Sequence, residues 1–259
     1  MTNTLKMPIV FIGHGSPMNA IEDNEFCRNW TKLAREIPQP KAILSISAHW
    51  YTNGTLVNNN LNPKMIYDMV GFPDELYQVK YPAKGNPELA KLVQSLVSKE
   101  VKVDNSWGYD HGTWSVLVKM FPQADIPLIQ LSIDRNASAE VHFKIGQELS
   151  VLRDQGVLIL GSGNVVHNLS RIDWNMQSAA YPWAVSFDAY IKDKIMKREF
   201  EDIIHYDKAG DMAKLSIPTP DHFLPLLYVL GASLPDDKLT IINEACMMGS
   251  MSMTCYLFG

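Results

Sequence analysis

Short, almost unbroken apolar runs alternate along this chain with amphipathic stretches. Residues 8–12 (Pro-Ile-Val-Phe-Ile), 42–47 (Ala-Ile-Leu-Ser-Ile-Ser), 126–133, 157–160 (Val-Leu-Ile-Leu), 239–243 and 251–257 have the length and content of strands covered on both faces. Helical patterns lie between them. The clearest spans 86–99. Asn86 suits a cap, Pro87 suits the first helical position, and Leu89, Leu92, Val93, Leu96 and Val97 form one stripe. Residues 24–37, 138–155 and 180–200 read as further helices, with Gly156 closing the one over 138–155. Residues 221–230 predict a last helix with Pro225 near its first turn. The stretch 52–82, rich in Asn, Pro, Gly and Tyr, reads as irregular chain, either a surface excursion or a pocket wall.

Strands that alternate with helices predict an α/β fold, with a largely parallel or mixed central sheet covered by helices on both faces. No repeat, low-complexity tract or linker divides the chain, so residues 1–259 read as a single domain. Hydrophobic residues make up 46% and charged residues 20%, which favours a large core over disorder. The net charge of −5 and the lack of any basic run argue against nucleic acid or an anionic membrane as partner. Nothing approaches the roughly 18 consecutive apolar residues of a membrane span. The apolar run before Gly13 is too short for a secretory signal. Cys27, Cys246 and Cys255 form no CxxC pattern and read as reduced core thiols in a cytoplasmic protein.

The candidate chemistry lies in the histidines. His14 and His49 each follow a predicted buried strand, so each imidazole projects at a carboxyl end of the sheet, where α/β folds build sites. Gly13 and Gly15 flank His14 and leave room for close approach. His167 follows a strand and the turn-like Gly161-Ser162-Gly163-Asn164, which reads as a device that aims it at the same pocket. His222 falls at or near a helix start, where the local positive potential favours the neutral, metal-binding imidazole. His111 follows Asp110, whose carboxylate either orients the histidine or caps a helix starting nearby. His142 and His205 read as packing or surface residues. Gly-Ser-Gly lacks the Lys-Ser/Thr pair of a phosphate-binding loop, and no HExxH, GxSxG or clustered Cys/His set occurs. Any metal site must therefore be assembled by the fold from distant segments.

Taken in order, Phe11-Ile12-Gly13-His14-Gly15-Ser16-Pro17, Ser47-Ala48-His49-Trp50, Tyr109-Asp110-His111-Gly112-Thr113-Trp114, Gly161 to Asn168 and Pro220 to Leu226 resemble the DODA-type (4,5-DOPA) extradiol ring-opening dioxygenases. These belong to the class III, LigB-like superfamily. The resemblance runs along nearly the whole chain. It implies a non-haem Fe(II) site that opens a catechol such as L-DOPA beside its hydroxyls, with O2, to a semialdehyde. It implies metal binding by His14 and His49, with His222 or Glu244 as third ligand. A ligand set of histidines alone also favours Zn2+, which a purified sample can carry. The same resemblance gives His167 an acid–base role, or a place as fourth ligand, and puts His111 and Asp110 on the substrate side. Two rival readings use the same histidines: a zinc-dependent hydrolase, and a non-catalytic metal or catechol binder. The expected partners are a small catechol and O2, and the expected state is a monomer or small homo-oligomer.

Overall fold

A computed structural model describes residues 6–259. The chain begins β1 (Ile9–Gly13), α1 (Glu25–Glu36), β2 (Ala42–Thr52), β3 (Thr55–Val57), α2 (Asp74–Tyr77), α3 (Pro87–Leu96), β4 (Val101–Val103) and α4 (His111–Met120). It continues with β5 (Leu128–Asp134), α5 (Ala139–Leu149), β6 (Val157–Gly163), α6 (Pro182–Lys197), α7 (Phe200–Ile204), α8 (Asp211–Ser216) and α9 (Leu224–Ala232). Four short strands close it: β7 (Leu239–Ile242), β8 (Cys246–Met247), β9 (Met251–Ser252) and β10 (Cys255–Phe258).

Eight strands form one sheet in the order β4-β3-β5-β2-β6-β1-β10-β7. The central four, β5-β2-β6-β1, are parallel. β10 and β7 add antiparallel pairings at one side, and β3 pairs antiparallel with β5 at the other. The sheet is thus mixed, with a parallel centre. β1 shows why its apolar run is continuous. Ile9 and Phe11 join the core that holds Leu89, Ile145, Phe187 and Leu227 of α3, α5, α6 and α9. Val10 and Ile12 join the opposite core, with Trp30 of α1 and Leu117 of α4. Both faces are covered, and each such fully buried side chain contributes about 1.5–3 kcal/mol.

The helices start where the chain supplies caps. The Asn24 side chain accepts from Cys27 N, and Asn86 from Leu89 N ahead of Pro87. Gly156, at φ 81°, closes the segment after α5, whose last turn is 3-10 rather than α. The last helix is shifted to Leu224–Ala232, with Pro225 in its first turn as the sequence predicts. Residues 251–257 are not one strand but two, β9 and β10. The stretch 52–82 carries β3 and α2, and its remainder contributes Asp68, Met69, Val70 and Phe72 to a cavity wall. No helix among the described residues is long and apolar enough to cross a membrane. All three cysteines are free, with Cys27 and Cys255 buried.

Two corrections bear on the site. β2 runs past its predicted end at residue 47, through His49 to Thr52. Its register against β5 shifts between Ile46 and Tyr51, so His49 lies in an irregular stretch of strand rather than after one. Such irregularities turn side chains to a new direction. Gly161-Ser162-Gly163 is likewise not a turn but the last part of β6. Its glycines serve close packing. A Cβ on Gly163 would collide with the backbone carbonyl of His222, and one on Gly161 would lie 2.6 Å from that of Pro225. The absence of those side chains lets the start of α9 rest directly on β6.

Candidate active site

Five histidines converge on one cavity of about 510 Å³: His14, His49, His111, His167 and His222. β1 delivers His14 just past its carboxyl end, and the irregular part of β2 delivers His49. His111 is the first residue of α4. The contact of the α9 start with β6, tied by Asn164 N donating to His222 O at 2.9 Å, delivers His222. A ring nitrogen from each of His14, His49 and His222 lies within 4.8 Å of the others.

Two rings of this trio are hydrogen-bonded from behind, and the third faces a carboxylate. Ser162 Oγ donates to Gly112 O at 2.5 Å, so its lone pair receives His14 Nδ1–H at 2.9 Å. His14 Nε2 therefore keeps its lone pair. His222 Nδ1 donates to the Asp221 carboxylate, and its Nε2 is buried without a hydrogen-bond partner. His49 Nδ1 lies 3.2 Å from Asp68 Oδ2, and its Nε2 lies 3.3 Å from His14 Nε2. Burial, with the neighbouring histidines adding to it, pushes the His14 and His49 pKa values well below the usual imidazole range. Burial works against the Asp221 carboxylate, but the hydrogen bond from His222 draws it down to about 2. Imidazoles backed by carboxylates and a hydroxyl, with burial favouring neutral His14 and His49 and with an orphaned Nε2 on His222, are a donor set that fits a divalent metal.

His167 stands beside the trio. Its ring stacks on His222 with centroids 3.5 Å apart, while its backbone N–H is held by Ser216 O at 2.9 Å. Burial, with the neighbouring His222 ring adding to it, pushes its pKa down to about 2, so the free ring is neutral. His111 approaches from the other side, its ring centroid 3.9 Å from that of His49. Its Nδ1 lies 3.0 Å from Asp68 Oδ1, off the line of a good hydrogen bond. The rest of the wall is mostly apolar: Met69, Val70, Phe72, Leu169, Ile172, Trp174 and Met251 suit a planar aromatic ring.

Asp110 and Glu244 do not join this cavity. Asp110 is fully buried behind His111. It caps α4 by accepting from Thr113 N, and it also accepts from Ser47 Oγ at 2.6 Å and Trp107 Nε1 at 3.1 Å. Of the two readings of its sequence neighbourhood, the cap is the observed one. Glu244 is exposed, pairs with Lys192 and lines a neighbouring cavity with Asn29 and Cys246. β7 lies two strands out from β1, and at about 4.8 Å per strand this sets Glu244 apart from His14. His142 packs inside the protein against Tyr228 OH at 2.9 Å, and His205 lies near Glu140 and Glu201. Sequence reading missed Asp68, Ser162 and the supporting role of Asp221. Asp221 had a signal in its place beside His222. Asp68, a lone acid in irregular chain, had none.

A model of the family described as "Catalytic LigB subunit of aromatic ring-opening dioxygenase" matches residues 7–259. A protein from Escherichia coli K12 named 4,5-DOPA dioxygenase extradiol is 47% identical over 99% of this chain and 96% of its own. One of the same name from Beta vulgaris is 40% identical over 96% of this chain and 95% of its own. The crystal structure of an uncharacterized protein from Escherichia coli K12 superposes with a TM-score of 0.86 at 44% identity, covering 98% of this chain and all of the other. The histidine-lined cavity thus sits in a chain that belongs to the LigB family and is an extradiol ring-cleaving dioxygenase.

Proposed function

We propose that the protein uses Fe(II), held by His14, His49 and His222, to open an L-DOPA-like catechol at its 4,5 bond with O2. The product is a ring-opened semialdehyde that carries both oxygen atoms. The observation that carries this reading is the convergence of three imidazoles, each with a hydroxyl or carboxylate oxygen near Nδ1 and with ring nitrogens within 4.8 Å of one another. The names of the relatives at 47% and 40% identity support the choice of L-DOPA. Bound there, iron supplies the one-electron steps that let a catechol react with O2, which zinc lacks.

The chain's own residues bind and move protons. The apolar walls at Phe72, Leu169, Ile172 and Trp174 hold the ring and keep bulk water away from it. His167 enters neutral. The negative charge of a catecholate beside it offsets the burial that disfavours its charged form, so its ring takes a proton from a catechol hydroxyl and returns it to an oxygen of the opened product. His111 lines the same cavity and hydrogen-bonds a substrate oxygen. Three free cysteines accord with a reducing, cytoplasmic setting.

The test is anaerobic reconstitution with Fe(II), then L-DOPA and air. A yellow semialdehyde should appear with iron and not with zinc. Hydrolysis of an ester or amide by the zinc form, without ring opening in the iron form, would favour the hydrolase instead.

A further inference from the structure

We propose that Asp68 is a positioning residue that serves metal and substrate together, holding His49 with one carboxylate oxygen and His111 with the other. The inference rests on the reading above that His49 is a metal ligand and His111 a substrate-side group.

Asp68 is itself fixed. The segment before it is pinned to the start of α4: Ile66 N donates to Tyr109 O at 2.7 Å, and Trp114 Nε1 donates to Ile66 O at 2.9 Å. Tyr67 OH reaches Val79 O at 2.7 Å. Asp68 Oδ1 then accepts the backbone N–H of His111 at 3.0 Å, at a helix N-terminus that favours an anion. Among the described residues that line the cavity, Asp68 is the one carboxylate, and none is Lys or Arg.

The consequence for His49 is a choice of tautomer. Oδ2 stands 3.2 Å from His49 Nδ1, close enough for the carboxylate's charge to favour hydrogen on that nitrogen. His49 Nε2 is then a bare lone pair, 3.3 Å from the bare lone pair of His14 Nε2. Two lone pairs at that distance repel unless a cation draws both. Asp68 thereby biases His49 toward the metal-binding form, as carboxylates behind ligating histidines do. The other oxygen anchors His111 through its backbone N–H, at 3.0 Å, and stands 3.0 Å from the ring's Nδ1, off the line of a hydrogen bond. One residue in an irregular segment so ties a metal ligand to a substrate-side group.

Asp68→Asn keeps the size and removes the charge and one acceptor. Zinc affinity, read by competition with a chromophoric chelator, should fall about 10- to 100-fold. The same fall should appear in a His111→Asn background, because it travels through His49. Turnover of L-DOPA by iron-saturated Asp68→Asn should fall too, but that loss should not multiply with the loss from His111→Asn, because it travels through His111. In the metal-free protein, nitrogen-15 shifts should show His49 no longer held in its Nδ1–H form. Wild-type zinc affinity in a folded Asp68→Asn protein overturns the proposal. So does a turnover loss that multiplies fully with that of His111→Asn. If Asp68→Asn fails to fold, Asp68→Ser also removes the carboxylate, and its zinc affinity and turnover in the two backgrounds carry the same two outcomes. Wild-type protein that binds no zinc or iron would sink the metal reading itself, a distinct result.

Discussion

His167 and His222 stack face to face, 3.5 Å between ring centroids and 7° from parallel. Their surroundings differ. His222 gives its Nδ1 proton to Asp221 and leaves Nε2 bare, whereas His167 lies outside the trio whose ring nitrogens approach within 4.8 Å. The two adjacent imidazoles thus differ in their surroundings, as the proposed division between metal binding and proton transfer requires.

Replacement of His167 separates the two tasks. His167→Gln keeps a polar side chain that exchanges no proton near neutral pH. It should retain iron and bind catechol, yet lose turnover about 100-fold or more. Iron content and single-turnover rate on one preparation check this. Weakened iron binding, with activity restored by excess Fe(II), would make His167 a ligand.

The third-ligand question has a paired test. His222→Ala should abolish stoichiometric metal binding. Glu244→Gln should leave it unchanged, because Glu244 is exposed and paired with Lys192. Metal analysis of both variants after dialysis decides it, and the reverse pattern would move the ligand to Glu244.

Much of this trio was legible in the chain. His14 and His49 follow apolar runs, and His222 sits beside an acid near a proline-marked helix start. What was misread depends on contacts between distant segments. Glu244 resembles His14 in standing after a strand, but strand order, invisible locally, puts it two strands away. The glycines of residues 161–163 signal a turn by composition. Their actual cause is the backbone of His222 and Pro225 lying against them. α9 is buried on every side, so its start leaves no amphipathic edge to read. Asp68 gains meaning only when the 52–82 excursion folds back on α4.

Ser162 offers a test of ring orientation without touching a ligand. Ser162→Ala removes the acceptor for His14 Nδ1–H, and the site is wholly buried. Metal affinity should fall about 10- to 100-fold, while turnover at saturating iron falls less. Unchanged affinity in a calorimetric titration would show that Ser162 does not orient His14.

His142 governs part of the acid stability. Burial chiefly lowers its pKa to about 4, against 6.5 for the free side chain. Between those values the unfolded chain binds a proton that the folded chain refuses. Stability from this group is therefore complete above pH 6.5 and is lost as pH falls toward 4, by about 3 kcal/mol in all. In His142→Gln, urea-unfolding free energies should decline less steeply across that window. Parallel curves for the two proteins would contradict the assignment.

Oxygen consumption tests most directly whether His14, His49 and His222 hold a redox metal that opens a catechol ring. An oxygen electrode should record about one O2 taken up per L-DOPA consumed by the Fe(II)-loaded protein, and none by the zinc-loaded protein or by His14→Ala supplied with Fe(II). Equal uptake by rigorously iron-free zinc protein, or full uptake by His14→Ala, would contradict it.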